Sequence, residues 1–216
     1  MATDVDLHGP ADERTWLVRA VVILQSPTTV FEALRDDRDE VAHAREEAAL
    51  ALIFVAGIGG VLWTPVAGTV MDDPLYDGVL IAVWAFIAGG LYGAVVYWAG
   101  ALLLLGGSRV AGGRGSYRSA RHVLAFAAAP IALSLILVFP VRLAVYGSDI
   151  FRTGGADHGT GDAVFVALEL LFLAWSVALL VLGLRTVNRW SWGRALGACA
   201  AAAALPALVV LASRGF

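Results

Sequence analysis

From Val79 to Leu105 the chain runs without a single charged side chain, and this stretch limits the fold more than any other feature. As an α-helix it is roughly 40 Å long at 1.5 Å per residue, more than the roughly 30 Å hydrocarbon core of a bilayer. Four further apolar blocks, about 48–70, 120–139, 163–184 and 196–212, also have lengths suited to crossing a membrane. Composition agrees: 59% of residues are hydrophobic and 15% charged, against about 25% charged in ordinary soluble domains. A membrane barrel would need strands of about ten residues with alternating polarity. The sequence therefore predicts an all-α integral membrane protein: five transmembrane helices over 48–216, preceded over 1–47 by short amphipathic helices.

The N-terminal segment is read in three parts. Residues 1 to 12 are polar and form a tail. Residues 13–24, with Trp16, are too short to span and have the length of a helix lying in the headgroup interface, although a buried core helix would look similar. Ser26-Pro27 starts a second helix from about Thr28 toward Glu47, whose Asp36, Asp37, Arg38, Asp39, Glu40 and Arg45 read as a solvated face.

The second span is longer than the membrane core, so it must tilt or bend, and Gly89-Gly90 is the natural place. In the third span Pro130 removes a backbone donor and kinks the helix, leaving the carbonyl of Phe126 without its usual partner. Ser134 is positioned to back-bond near that kink. Pro140 and Arg142 mark its exit into a glycine-rich loop.

All fifteen basic residues are arginine. The N-terminal segment, second loop and fourth loop hold twelve of them; Arg142, Arg152 and Arg214 fall on the other side. Positive-inside bias then places the N-terminus in the cytoplasm and the C-terminus outside. The acidic start is unlike a cleaved signal peptide. Nothing resembles a nucleic-acid footprint, and the one cysteine, Cys199, excludes an internal disulfide.

Two groups of side chains stand out. Glu169 lies within the fourth span and threading gives it Arg142 as partner; the pair is either a relay or polar substrate contact, or a structural bond between spans three and four. Arg114, Arg118, Arg121 and His122 lie on the basic connector that leads into span three. They are suited to anionic lipid headgroups or an acidic partner segment, or serve as ordinary snorkelling anchors. Asp157, His158 and Asp162 have unspecific spacing for a metal. Gly89-x-x-x-Gly93 and Gly193-x-x-x-Gly197 allow close helix contact, within one bundle or in a homo-oligomer. No nucleophile-and-base pair, phosphate loop or metal cluster appears, so neither an enzyme nor a cofactor is expected.

Ser26-Pro-Thr-Thr-Val-Phe31, Gly115-Ser-Tyr-Arg118 and Val123-Leu-Ala-Phe-Ala-Ala-Ala-Pro130 together resemble the Ypt-interacting protein (Yip) family of five-span membrane proteins, in a bacterial or archaeal branch. The resemblance implies a plasma-membrane scaffold or interaction protein with an unidentified protein partner. Asp6-Leu-His-Gly-Pro10 differs from the family's N-terminal Asp-Leu-Tyr-Gly-Pro motif at His8 and lies well upstream of the first span, so GTPase binding is not carried over to it. The rival expectation is a small-solute or lipid transporter using Glu169 and Arg142 in a polar cavity.

Overall fold

The computed structural model describes residues 13–155 and 160–213, and every regular element among them is helical. Helices α1 (Glu13–Val22) and α2 (Pro27–Ala33) precede the long α3 (Asp39–Leu62). The single helix expected over 28–47 is therefore two. Asp36 is the reason: its carboxylate accepts from the backbone N–H of Arg38 at 3.2 Å and grips the Arg38 guanidinium at 2.6–3.1 Å. A side chain bonded to the backbone two residues on competes with helix propagation. Propagation resumes at Asp39, where two acids in the first turn suit the positive end of the helix dipole.

Helix α3 then enters the first apolar block without a break and ends at Leu62, short of the expected Val70, because Thr64 and Pro65 turn the chain into a 3-10 segment at Ala67–Asp72. It packs on α4 (Gly78–Val95) through glycines. A Cβ on Gly57 would collide with the backbone of Gly89 and Gly93, and one on Gly93 would lie 2.7 Å from the Ile53 carbonyl oxygen. Gly89 thus serves close approach rather than a bend. The irregularity of the second span lies further on, in one wide π turn at Val96–Gly100 before α5 (Ala101–Val110). The Tyr117 hydroxyl donates to the Trp98 carbonyl in that turn at 2.8 Å, a type of support that such turns require.

Helices α6 (Tyr117–Ala127) and α7 (Ala129–Tyr146) are one path interrupted at Ala128, with Pro130 in the first turn of α7. The Ala127 carbonyl accepts from Ser176 Oγ at 2.5 Å, so a neighbouring helix supports the break. Ser134 back-bonds to Ile131 at 2.9 Å. Helix α7 also continues through Pro140, which was expected to mark its exit, so Arg142 is helical and buried rather than in a loop. Helix α8 (Thr160–Asn188) and α9 (Trp192–Ser213) form a tight hairpin, and α9 lies on α5 with Gly107 against Ala198 and Ala202. By contrast Gly193 and Gly197 face open space.

Four helical segments among the described residues are long and apolar enough to cross a membrane: Gly78–Val110, Tyr117–Phe151, Asp162–Asn188 and Trp192–Val209. Large apolar side chains such as Leu91, Val95, Leu102, Leu171 and Leu208 stand exposed along them. In a bilayer these meet lipid tails, which are as apolar as leucine. Asp39–Leu62 differs because Arg45, Glu46 and Glu47 precede its charge-free part, Ala48–Leu62.

Candidate functional site

At the end of the bundle that carries α2, the start of α3 meets the start of α6, and the meeting is polar. Arg45 is fully buried. Its Nε donates to His122 Nδ1 at 2.8 Å, Nη1 to the Asp36 carbonyl at 2.7 Å, and Nη2 to Asp37 Oδ1 at 2.9 Å. Because a guanidinium only donates, Nδ1 of His122 must accept, and the ring carries its hydrogen on Nε2. That nitrogen lies 2.8 Å from Glu46 Oε2 and donates to it. Glu46 Oε1 accepts from the buried Tyr97 hydroxyl at 2.9 Å and meets Arg121 Nη1 at 3.4 Å. Arg121 in turn lies over the rings of Tyr97 and Tyr117, 5.1 and 5.4 Å from their centroids.

The outer members of the network tie α6 to the segment before α3. Ser116 caps α6 by accepting from Ser119 N–H and donates to Asp37 Oδ2 at 2.5 Å. Arg118 pairs with Asp39 at 2.6 Å. On α2's other flank, Arg35 donates to the Thr186 carbonyl of α8 at 2.8 and 3.0 Å. Three helices that approach from distant parts of the sequence are thus fixed by bonds that leave the buried Arg45 guanidinium satisfied.

Of the four residues singled out on the basic connector, Arg118, Arg121 and His122 engage Asp39 and Glu46, while Arg114 stands exposed in a groove beside the α8–α9 turn. Their partners Glu46 and Tyr97 escaped the sequence reading, and Arg45, expected on a solvated face, is instead fully buried against His122. A signal was there: Ala42, Arg45 and Ala49 follow helical spacing, and two alanines around an arginine describe a face packed closely against something.

Burial pushes the Glu46 carboxyl up, but hydrogen bonds from His122 and Tyr97 and the positive charge nearby outweigh it, leaving Glu46 below its ordinary value of 4.5. A depressed acid stabilises the fold fully above its unfolded value and loses that contribution as pH falls through the folded one. Wild type should therefore exceed Glu46→Gln in thermal stability at about pH 6, with the gap closing below about pH 4.5. A gap that widens on acidification would contradict this arrangement.

Further along the bundle α3, α4, α7 and α8 line a half-open cavity of about 460 Å³ that runs from Ile53, Val96 and Ala128 to Trp63 and Glu169. Arg142 donates to Asp162 at 3.1 Å and its guanidinium lies 4.4 Å from the Trp63 ring centroid. Glu169 Oε2 accepts from Ser134 at 3.2 Å, and its Oε1 is buried without a hydrogen-bond partner among the described residues. The expected partners Arg142 and Glu169 thus sit on facing helices, with Asp162 and Ser134 taking up their bonds. Asp162→Asn should cost about 1–3 kcal/mol, measured by thermal unfolding in detergent, and Glu169→Gln much less, since an amide oxygen still accepts from Ser134. The reverse order would show that Glu169 is the acid that matters to Arg142.

No group of three metal-ligating side chains occurs among the described residues. Asp157, His158 and the Asp6–Pro10 stretch lie outside them.

A bundle of long apolar helices closed at one end by a polar network defines a multi-pass helical membrane protein. Residues 21–213 match the Yip1 domain, and the chain belongs to that family. No curated protein and no solved structure matches it.

Proposed function

We propose that the chain is a five-span scaffold or interaction protein of a prokaryotic plasma membrane, with a cytoplasmic N-terminus and an external C-terminus, and without enzymatic activity. The observation that carries the reading is the Arg45–His122–Glu46–Tyr97 network, whose charges bind one another and hold the N-terminal segment on the bundle. Charges engaged in this way suit a fixed face presented to partners better than a path for a solute.

Helix α3 is the fifth span in this reading. Its charge-free part covers roughly 22 Å at 1.5 Å per residue, and its packing between α4 and α7 carries it alongside two apolar helices. Twelve of the fifteen arginines then lie in the cytoplasm. Helix α1 turns Val18 and Val21 outward while Arg19 and, just past its end, Ile23 are buried, an arrangement suited to an amphipathic helix lying in the headgroup layer. Lipids, a protein partner and further copies of the chain are the partners this implies, and nucleic acid is not.

A second reading, transport of a small solute or lipid, is favoured by the cavity beside Glu169. Crosslinking in native membranes followed by purification separates the two. The scaffold reading expects a specific protein partner that is lost when residues 13–38 are deleted. Passage of a solute or lipid in reconstituted vesicles, abolished by Glu169→Gln and with no partner captured, would overturn it.

A further inference from the structure

The loop between α5 and α6 and the turn between α8 and α9 face each other across a groove of about 610 Å³. Its walls hold Arg35, Arg114, Arg189 and Arg194, with Trp190 and Asp37. Two of these guanidinium groups are anchored. Arg35 is bonded to the Thr186 carbonyl, and Arg194 donates to the carbonyls of Ala111 and Gly112 at 2.6 and 3.2 Å while lying 4.9 Å from the Trp190 ring centroid. Arg114 and Arg189 are exposed, and no ion pair engages either among the described residues. The acid on these walls, Asp37, already accepts from Arg45 and Ser116. Arg35 also pairs with Glu32 at 3.8 Å, so the groove gathers three further guanidinium charges around one carboxylate that is already engaged.

The backbone adds a second, independent observation. Arg189 has φ 55°, in the left-handed region, at the end of α8. Glycine is the usual residue there, and asparagine the next; other side chains adopt that conformation at a steric cost. The turn alone does not call for arginine, so the side chain is the reason to look for a ligand. On the facing wall Gly113 leaves room for the Trp190 ring, which a Cβ would approach to 2.9 Å.

We propose that this groove binds a phosphate group, carried by the headgroup of an anionic phospholipid in the adjoining leaflet. Guanidinium forks match phosphate oxygens in geometry and charge. Tryptophans such as Trp190 and Trp192 favour headgroup depth. Trp192 and Leu196, exposed on the first turns of α9, put apolar surface for acyl chains at the same end of the bundle as the groove; an acidic protein segment has no use for it. The inference rests on the membrane reading of this end of the bundle, but not on which side is cytoplasmic, because a nanodisc exposes both faces.

The test is thermal unfolding of the full chain in phosphatidylcholine nanodiscs containing increasing fractions of phosphatidylglycerol. Ligand binding to the folded state raises the midpoint, so the series yields an apparent affinity. Each arginine is worth about fivefold near an anionic surface, and Arg114→Gln with Arg189→Gln should together weaken the response roughly 25-fold. Arg189→Gly should be at least as stable as wild type in pure phosphatidylcholine and still lose about fivefold in response, which separates ligand binding from backbone strain. Arg38→Gln, a control outside the groove, should respond as wild type does. Inorganic phosphate that reproduces the full shift in pure phosphatidylcholine would assign the same site to a soluble phosphate. An unchanged response in the double variant, an equal loss in Arg38→Gln, or stabilisation by an acidic peptide in place of the lipid would overturn the proposal.

Discussion

Replacing Arg45 by leucine will destabilise the protein by on the order of 3–5 kcal/mol, more than any other single side-chain change at this end of the bundle. The guanidinium is completely buried and bonds three groups on two segments. Its removal leaves His122 Nδ1 without a donor where water does not reach, and deprives the part-exposed Asp36 carbonyl and Asp37 carboxylate of theirs. His122→Phe should be milder than Arg45→Leu, because Arg45 keeps Asp36 and Asp37. The double variant Arg45→Leu with His122→Phe should lose less than the sum of the two, the mark of residues in direct contact. Denaturation in mixed micelles measures all three. Strict additivity would mean that the Arg45–His122 bond contributes nothing.

The second large effect is expected at Gly57. A Cβ there overlaps the carbonyl oxygen of Gly89 and stands 2.8 Å from the backbone nitrogen of Gly93. Backbone cannot swing aside as a flexible side chain does, so Gly57→Leu must part α3 from α4 along their main contact. Overpacking in a well-filled core costs about 1–3 kcal/mol, and forced separation of two backbones belongs at or above the upper end. Gly57→Ala should already lower thermal stability, whereas Gly197→Ala should not, since nothing lies within 4 Å of the added methyl. Equal melting points for the two alanine variants would refute the close approach of α3 and α4.

These two sites also mark what the sequence made legible. The apolar blocks were plain because length and charge-free composition are properties of the chain itself, and α8 and α9 run within a few residues of the blocks that announced them. The break near Pro130 was plain because a missing N–H acts locally. Other features depend on neighbours. Pro140 lies within α7, where flanking helices rather than local propensity settle the outcome. Gly89-Gly90 carried a signal for small residues, but only the facing Gly57 turns it into a contact rather than a hinge. The wide turn at Val96–Gly100 relies on Tyr117, a residue beyond the next loop.

The candidate site was half legible for the same reason. His122 and the arginines of the basic connector were conspicuous by charge, yet their partners sit in a charge-rich stretch that, taken alone, reads as solvated. A run of acids and arginines gives no hint of which member faces inward. The Ala42–Arg45–Ala49 stripe did, but its meaning depends on a helix that begins some seventy residues later. Glu169 and Arg142 likewise stood out by their depth, whereas Ser134 and Asp162 drew notice for other roles, a bond near the kink and a loop acid, because nothing in the sequence pairs them with Glu169 and Arg142.

In the five-span reading α3 crosses the membrane beneath N-terminal helices held on one side. The direct measurement is cysteine accessibility in intact cells, on a background with Cys199→Ala, with single cysteines at Asp39 and Asp73, the two flanks of α3 and its 3-10 extension. A membrane-impermeant maleimide should label position 73 from outside and reach position 39 only after the cells are permeabilised. Labelling of both positions from the same side would show that α3 does not span, and would remove the five-span reading with it.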